Sequence, residues 1–326
     1  MRAPAILAAV LLLTGAARAE DLRFGLPIAC TIGADCWVQQ YVDHDPSSGV
    51  KDYACGPQTY DGHDGTDIRI RDTAATAFVT AAANGVVKAV RDGVPDRLMR
   101  TEQDRAAVGN RECGNGVLID HGNGWETQYC HLRNGSISVK TGDRVESGQR
   151  MGGVGYSGMA AFPHVHLSIR KDGAAVDPFR AGADADAVSC GAPENPLWTE
   201  GALRELAYSK GDIIGFGFAP GVVELEQLES GRLKPDAPAP EWPGLVAYLW
   251  AINLLANDEV VITIRGPKGF SAANSVTLDR HKAQYMLFAG KKRPSNGWPK
   301  GEYIARLEIR NAGVPRLSRE FGARID

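Results

Sequence analysis

The chain is 326 residues long, carries 36 Lys and Arg against 39 Asp and Glu, and has a net charge of -3. A mildly acidic protein without runs of Lys or Arg is not built to bind nucleic acid or anionic membrane surfaces by electrostatic attraction. The length accommodates two domains of roughly 100–200 residues each.

At the start of the chain, Met1 and Arg2 are a short basic opening and residues 4–13 are almost wholly apolar. Ala17-Arg18-Ala19 then supplies the small residues that a signal peptidase accepts. The apolar run is shorter than the ~20 residues that cross a bilayer. Residues 1–19 are therefore expected to be a cleaved signal peptide, with no membrane contact afterwards. Residues 20–60 hold three of the six cysteines together with Pro27, Pro46 and Pro57. They show little periodicity and read as an N-terminal extension pinned by disulfides. An even cysteine count behind a leader favours disulfides, and the absence of a C-x-x-C pair argues against a cysteine zinc site or a redox motif.

Short β-rich runs at 77–80, 85–90, 116–120, 125–131 and 165–170, punctuated by Gly and Asn, predict an antiparallel β domain over residues 61–180. In the hairpin around His121-Gly-Asn-Gly124, Cys113 and Cys130 fall nearly opposite each other, which predicts a Cys113–Cys130 bridge. Cys30, Cys36, Cys55 and Cys190 permit three pairings. The charged, strand-poor stretch 94–111 reads either as a solvated surface insertion or as the rim of a substrate groove. Pro and Gly at 177–196 mark a boundary, with a linker at 181–200. Runs at 213–218, 222–228, 245–255, 260–265, 303–309 and 318–325 then fit a β-sandwich over residues 201–326. The expected fold class is all-β: an antiparallel β-sheet domain followed by a smaller C-terminal β-sandwich. The second domain has a single histidine, His281, and no catalytic motif, so it is expected to bind or position rather than catalyse.

Four of the seven histidines sit in three patterned segments. In Gly62-His-Asp-Gly-Thr-Asp67, the two glycines argue against a helix, so a tight turn must bring His63 and Asp67 together. In Pro163-His-Val-His-Leu167, a strand projects His164 and His166 to the same face. His131 ends a predicted strand. Two imidazoles and a carboxylate form a good zinc set with a fourth position open for water. Zinc there lowers the pKa of water to about 7 and polarises a carbonyl. Any one segment alone reads as a hydrogen-bonded surface pair or a structural histidine; it is the three in one β domain that point to a metal. His121 reads as structural, and His44 and His281 lack patterned neighbours. Asp43, His44 and Asp45 read as exposed polar residues.

Gly62-His-x-Gly-x-Asp67, Gly122-Asn-Gly-Trp-x-Thr-x-Tyr-x-His-Leu132 and Pro163-His-x-His-Leu167 resemble the three signatures of the lysostaphin-type (LytM) zinc endopeptidases. The stretch between the last two, through Val139-Lys-Thr-Gly-Asp-Arg-Val and Gly148, is similar as well. The likeness runs from about Asp61 to Ile169 and leaves out residues 20–60, the 94–111 insertion and the C-terminal domain. It implies one Zn2+ ion held by His63, Asp67 and His166, with His131 and His164 catalytic beside it. It further implies a peptidoglycan peptide as substrate, cleaved in cross-links or stem peptides, and a periplasmic or secreted bacterial enzyme. Some relatives that have lost ligands only activate other wall enzymes, whereas here all five positions are filled. The alternatives are a secreted metalloprotease acting on proteins, or a latent or non-catalytic wall-binding regulator. No Glu directly follows a motif histidine to serve as base, unlike in the H-E-x-x-H peptidases.

Overall fold

The structure, a computed structural model, describes residues 22–181, 190–234 and 236–326. The expected signal peptide at 1–19 and most of the first half of the expected linker lie outside the described residues.

The N-terminal half contains β1 (Ile28–Ala29), β2 (Cys36–Gln40), β3 (Thr66–Ile70), β4 (Phe78–Thr80), β5 (Gly85–Arg91), α1 (Glu102–Val108), β6 (Asn115–Gly122), β7 (Trp125–Leu132), β8 (Arg144–Val145), β9 (Arg150–Gly153), β10 (His164–Lys171) and β11 (Ala174–Ala175). The main sheet runs in the order β2-β3-β10-β7-β6-β5-β8, with β11 on β10, and a small sheet β1-β4-β9 accompanies it. Every strand pair is antiparallel. Strand β10 shows why the sheet is organised as it is. Val165, Leu167 and Ile169 are buried in the core with Ile68, Ile70, Tyr129 and Met151, while His164, His166, Ser168 and Arg170 alternate onto the other face. Burial of the first set thereby fixes the placement of the second.

The expected Cys113–Cys130 disulfide is present, and the open pairings resolve as Cys30–Cys36 and Cys55–Cys190. Two local expectations gain detail and one needs correcting. The extension over 20–60 supplies β2, the edge strand of the main sheet, with Val38 opposite Ile68. The 94–111 stretch contains α1, which starts at a capping box in which Thr101 and Asp104 each accept from the other's backbone N–H. The expected strand at 222–228 is replaced by α3 (Leu225–Glu229), whose N-terminus closes a similar box between Glu224 and Gln227.

The C-terminal half follows α2 (Glu200–Glu205). It comprises β12 (Asp212–Ala219), α3, β13 (Gly244–Leu254), β14 (Asp258–Arg265), β15 (Ser271–Thr277), β16 (Lys282–Lys292), β17 (Gly301–Asn311) and β18 (Val314–Ile325). These form two antiparallel sheets, β12-β13-β16 and β15-β14-β17-β18. Strand β13 is buried along its whole length because both its faces are covered. Leu245, Ala247, Leu249 and Ala251 fill the sandwich core. Val246, Tyr248, Trp250 and Ile252 instead pack with Trp37 of β2, which joins the two halves. Polar contacts seal the joint. Gln39 Nε2 donates to the Ala283 carbonyl at 2.6 Å, Asn253 Nδ2 donates to the Gln39 carbonyl at 2.9 Å, and Arg100 is ion-paired with Glu229. Truncating Trp250 to Ala is expected to cost about 3–5 kcal/mol. Urea denaturation of wild-type and variant chains measures this, with the wild-type halves unfolding in a single transition.

Candidate metal centre

The turn that carries His63 is tied down from outside. Asp43 Oδ2 accepts from the Gly62 N–H at 3.1 Å, and the Asp43 N–H donates to the His63 carbonyl at 2.8 Å. Gly62 takes a left-handed φ of 75°, which glycine adopts without a Cβ penalty. Gly65 is required by space: a Cβ there would sit 2.6 Å from His166 Cε1 and 2.7 Å from the Leu167 carbonyl oxygen. Two residues after Gly65, Asp67 lies on β3 directly opposite His166 of β10.

The result is three donor atoms converging on one point. His63 Nε2 is 3.2 Å from Asp67 Oδ1 and 3.1 Å from His166 Nδ1, and His166 Nδ1 is 2.9 Å from Asp67 Oδ1. Ligands about 2.0–2.1 Å from a tetrahedral zinc stand roughly 3.3 Å apart, so little movement separates this arrangement from a coordinated one. The opposite ring nitrogens are engaged elsewhere. His63 Nδ1 donates to the Tyr41 carbonyl at 2.6 Å, and His166 Nε2 donates to Ser168 Oγ at 2.9 Å. Those bonds leave His63 Nε2 and His166 Nδ1 as the atoms available to a metal, and the residues present fit zinc. Among the described residues, His63, Asp67 and His166 are the one group of His, Cys, Asp or Glu arranged to hold a metal.

His131 and His164 flank this point, their ring centroids 4.5 Å apart, with His164 Nε2 3.7 Å from Asp67 Oδ1. His131 Nδ1 donates to the Ser157 carbonyl and His164 Nδ1 to the Phe162 carbonyl, both at 2.8 Å. His131 has a left-handed φ of 64°. Such a conformation in a non-glycine residue is a strain that surrounding structure must hold in place; here the His131 N–H donates to the Cys113 carbonyl beside the Cys113–Cys130 disulfide.

Electrostatics divide these groups. Burial pushes the His131 imidazole well below its usual pKa, and the neighbouring His164 and His166 push it further. Burial also lowers His164, against the opposing pull of Asp67. Both rings are therefore neutral near pH 7, each with an Nε2 lone pair. Burial raises Asp67, but His63, His164 and the hydrogen bond from His166 outweigh it and hold the carboxyl well below the usual range. Burial likewise lowers His166, but hydrogen bonds to Asp64 and Asp67 overcome it and hold the metal-free ring at about 9.

The remaining histidines have other surroundings. His121 bonds the Asn84 carbonyl and Thr127 Oγ1, and His44 pairs with Asp177 at 2.6 Å. Asp43 and Asp45 cap nearby backbone N–H groups, and His281 Nε2 is buried without a hydrogen-bond partner among the described residues. The 94–111 stretch is stitched to the segment that carries Ser157. Asp96 Oδ1 accepts from the Tyr156 N–H and the Met99 N–H donates to the Ala160 carbonyl, each at 2.9 Å. Sequence reasoning passed over Tyr60, whose ring lies 4.4 Å from that of His63, and Asp64, Ser168 and Arg170 around His166. The signal was present for the last two, which follow His166 at the two-residue period of its strand.

A model of peptidase family M23 matches residues 61–178. Among curated proteins, the peptidoglycan DD-endopeptidase ShyA of Vibrio cholerae is 36% identical over 104 residues, covering 31% of this chain and 23% of that protein. The cell division protein DipM of Caulobacter vibrioides is 41% identical over 75 residues, covering 22% and 12%. The DD-carboxypeptidase/endopeptidase Mpg of Neisseria meningitidis is 42% identical over 65 residues, covering 20% and 14%. The chain thus spans less than a quarter of the length of each of these relatives. Residues 61–178, which contain all five residues of the centre, are a domain of peptidase family M23.

Proposed function

We propose that this protein is a zinc-dependent endopeptidase that hydrolyses peptide bonds of peptidoglycan, in cross-links or stem peptides, in the bacterial periplasm or outside the cell. The observation that carries the reading is the convergence of His63 Nε2, Asp67 Oδ1 and His166 Nδ1 beside two neutral, oriented imidazoles. Three disulfides among six cysteines agree with an oxidising compartment. The similar regions of ShyA and Mpg, both named as endopeptidases, support the reaction class.

In this reading His63, Asp67 and His166 hold the ion. Zinc, when bound, supplies Lewis acidity that polarises the scissile carbonyl and eases ionisation of a water. The rest of the chemistry falls to His131 and His164. Their Nδ1–H groups are held by the Ser157 and Phe162 carbonyls, so their Nε2 atoms are the ones free to take up a proton. One of the pair accepts a proton from the attacking water and delivers it to the leaving amine. The other, neutral and with its Nε2 lone pair free, accepts a hydrogen bond from the attacking water and orients it toward the carbonyl.

Two outcomes test this. The secreted chain incubated with isolated peptidoglycan is expected to release fragments with new peptide termini, seen by mass spectrometry, that vanish with chelator and return with zinc. A folded, zinc-loaded protein that releases none overturns the reading in favour of a protein-directed protease or a non-catalytic wall-binding regulator. His131→Ala is expected to keep its zinc while losing about 10²–10³ in turnover, whereas His166→Ala loses the metal. Metal analysis of the purified variants checks the division, and zinc loss in His131→Ala would move that residue into the ligand set.

A further inference from the structure

The residue inside the first motif, between His63 and Gly65, is an aspartate whose side chain leaves the turn toward β10. Asp64 Oδ1 lies 3.3 Å from His166 Nε2 and accepts from Ser168 Oγ at 3.2 Å, and Ser168 Oγ itself lies 2.9 Å from that same ring nitrogen. The other carboxylate oxygen, Oδ2, accepts from Arg170 Nη2 at 2.9 Å, and Arg170 Nη1 donates to Gln128 Oε1 at 2.7 Å. His166, Ser168 and Arg170 share one face of β10, and Asp64 closes over all three. The carboxylate is thus anchored on one side by a guanidinium and turned on the other toward the distal nitrogen of an imidazole whose proximal nitrogen faces the metal point.

We propose that Asp64 is a positioning residue that completes a carboxylate–histidine–metal array, fixing the His166 ring with Nδ1 toward the ion and increasing its donor strength. Ser168 accepts the distal N–H, and as a neutral hydroxyl it orients the ring without adding charge; the Asp64 carboxylate, 3.3 Å from that nitrogen and accepting from Ser168 Oγ, adds the charge that makes the proximal nitrogen a stronger ligand. Arg170 matters because it keeps the Asp64 side chain, 43% exposed, from swinging into solvent. The inference rests on the proposed metal centre.

The test is zinc affinity rather than activity. Zn2+ is titrated into the secreted chain in competition with a chromophoric chelator, for wild type, Asp64→Asn and Asp64→Glu. Asp64→Asn is expected to weaken zinc binding about 10–100-fold, with Asp64→Glu recovering part of the loss and all three unfolding cooperatively in chelator. A zinc affinity for Asp64→Asn within about threefold of wild type overturns the proposal. If Asp64→Asn does not fold, Arg170→Gln, which releases the carboxylate, is read by the same criterion. A wild-type chain that takes up no zinc brings down the metal centre and this proposal together. A wild-type chain that binds one ion with Asp64→Asn binding equally well brings down this proposal alone.

Discussion

The antiparallel register of β3 against β10 is the constraint on which the centre depends. It sets Asp67 opposite His166 and Ile68 opposite Val165, so one pairing decides both which side chains enter the core and which face the point where His63, Asp67 and His166 converge. A slip of one residue would turn His164 and His166 inward and expose Val165, Leu167 and Ile169. The burial of those three residues opposes that slip. On the other side of β10, His166 is opposite Cys130 of β7, which brings the adjoining His131 to the same end of the sheet. Gly65 completes the arrangement by leaving the space that the His166 ring occupies.

The same register places Arg69 opposite His164, and Arg69 connects the centre to the C-terminal domain. Its guanidinium is fully buried, 5.0 Å from the Phe162 ring and 5.2 Å from the Trp250 ring. Gln39 Oε1 and the Ile70 and Arg71 carbonyls accept its N–H groups, so the charge is hydrogen-bonded and stacked between aromatic rings. Phe162 in turn lies 4.5 Å from His164, ring to ring. The β-sandwich is therefore packed behind a site histidine as part of the same folded body. Its hydrophobic strand β13 reads as continuous because one face serves its own core and the other serves this joint.

Much of this was legible in the residues. The alternation His-Val-His-Leu-Ser-Ile-Arg encodes a two-faced strand, the hairpin spacing encodes Cys113–Cys130, and the glycine-bracketed motif encodes a turn. What escaped did so for physical reasons. Strand β2 hides among cysteines and prolines because its partner, β3, lies 30 residues away in sequence. The β-branched Val222 and Val223 suggested a strand, yet the Glu224–Gln227 capping box won locally and produced α3. Strand β15, Ser-Ala-Ala-Asn-Ser-Val-Thr, is a polar and largely exposed edge held by pairing with β14 and offers no hydrophobic pattern to read. Asp64 was visible as a letter, but its direction depends on how the turn packs against β10, which no local spacing specifies.

Diffraction data collected at the zinc absorption edge from crystals of the purified, zinc-loaded protein locate the ion directly. One anomalous peak is expected, bonded to His63 Nε2, Asp67 Oδ1 and His166 Nδ1 at about 2.0–2.2 Å, with His131 and His164 beside it and not coordinated. An ion held by His131 or His164 in place of one of the three, or no ordered zinc between β3 and β10, would contradict it.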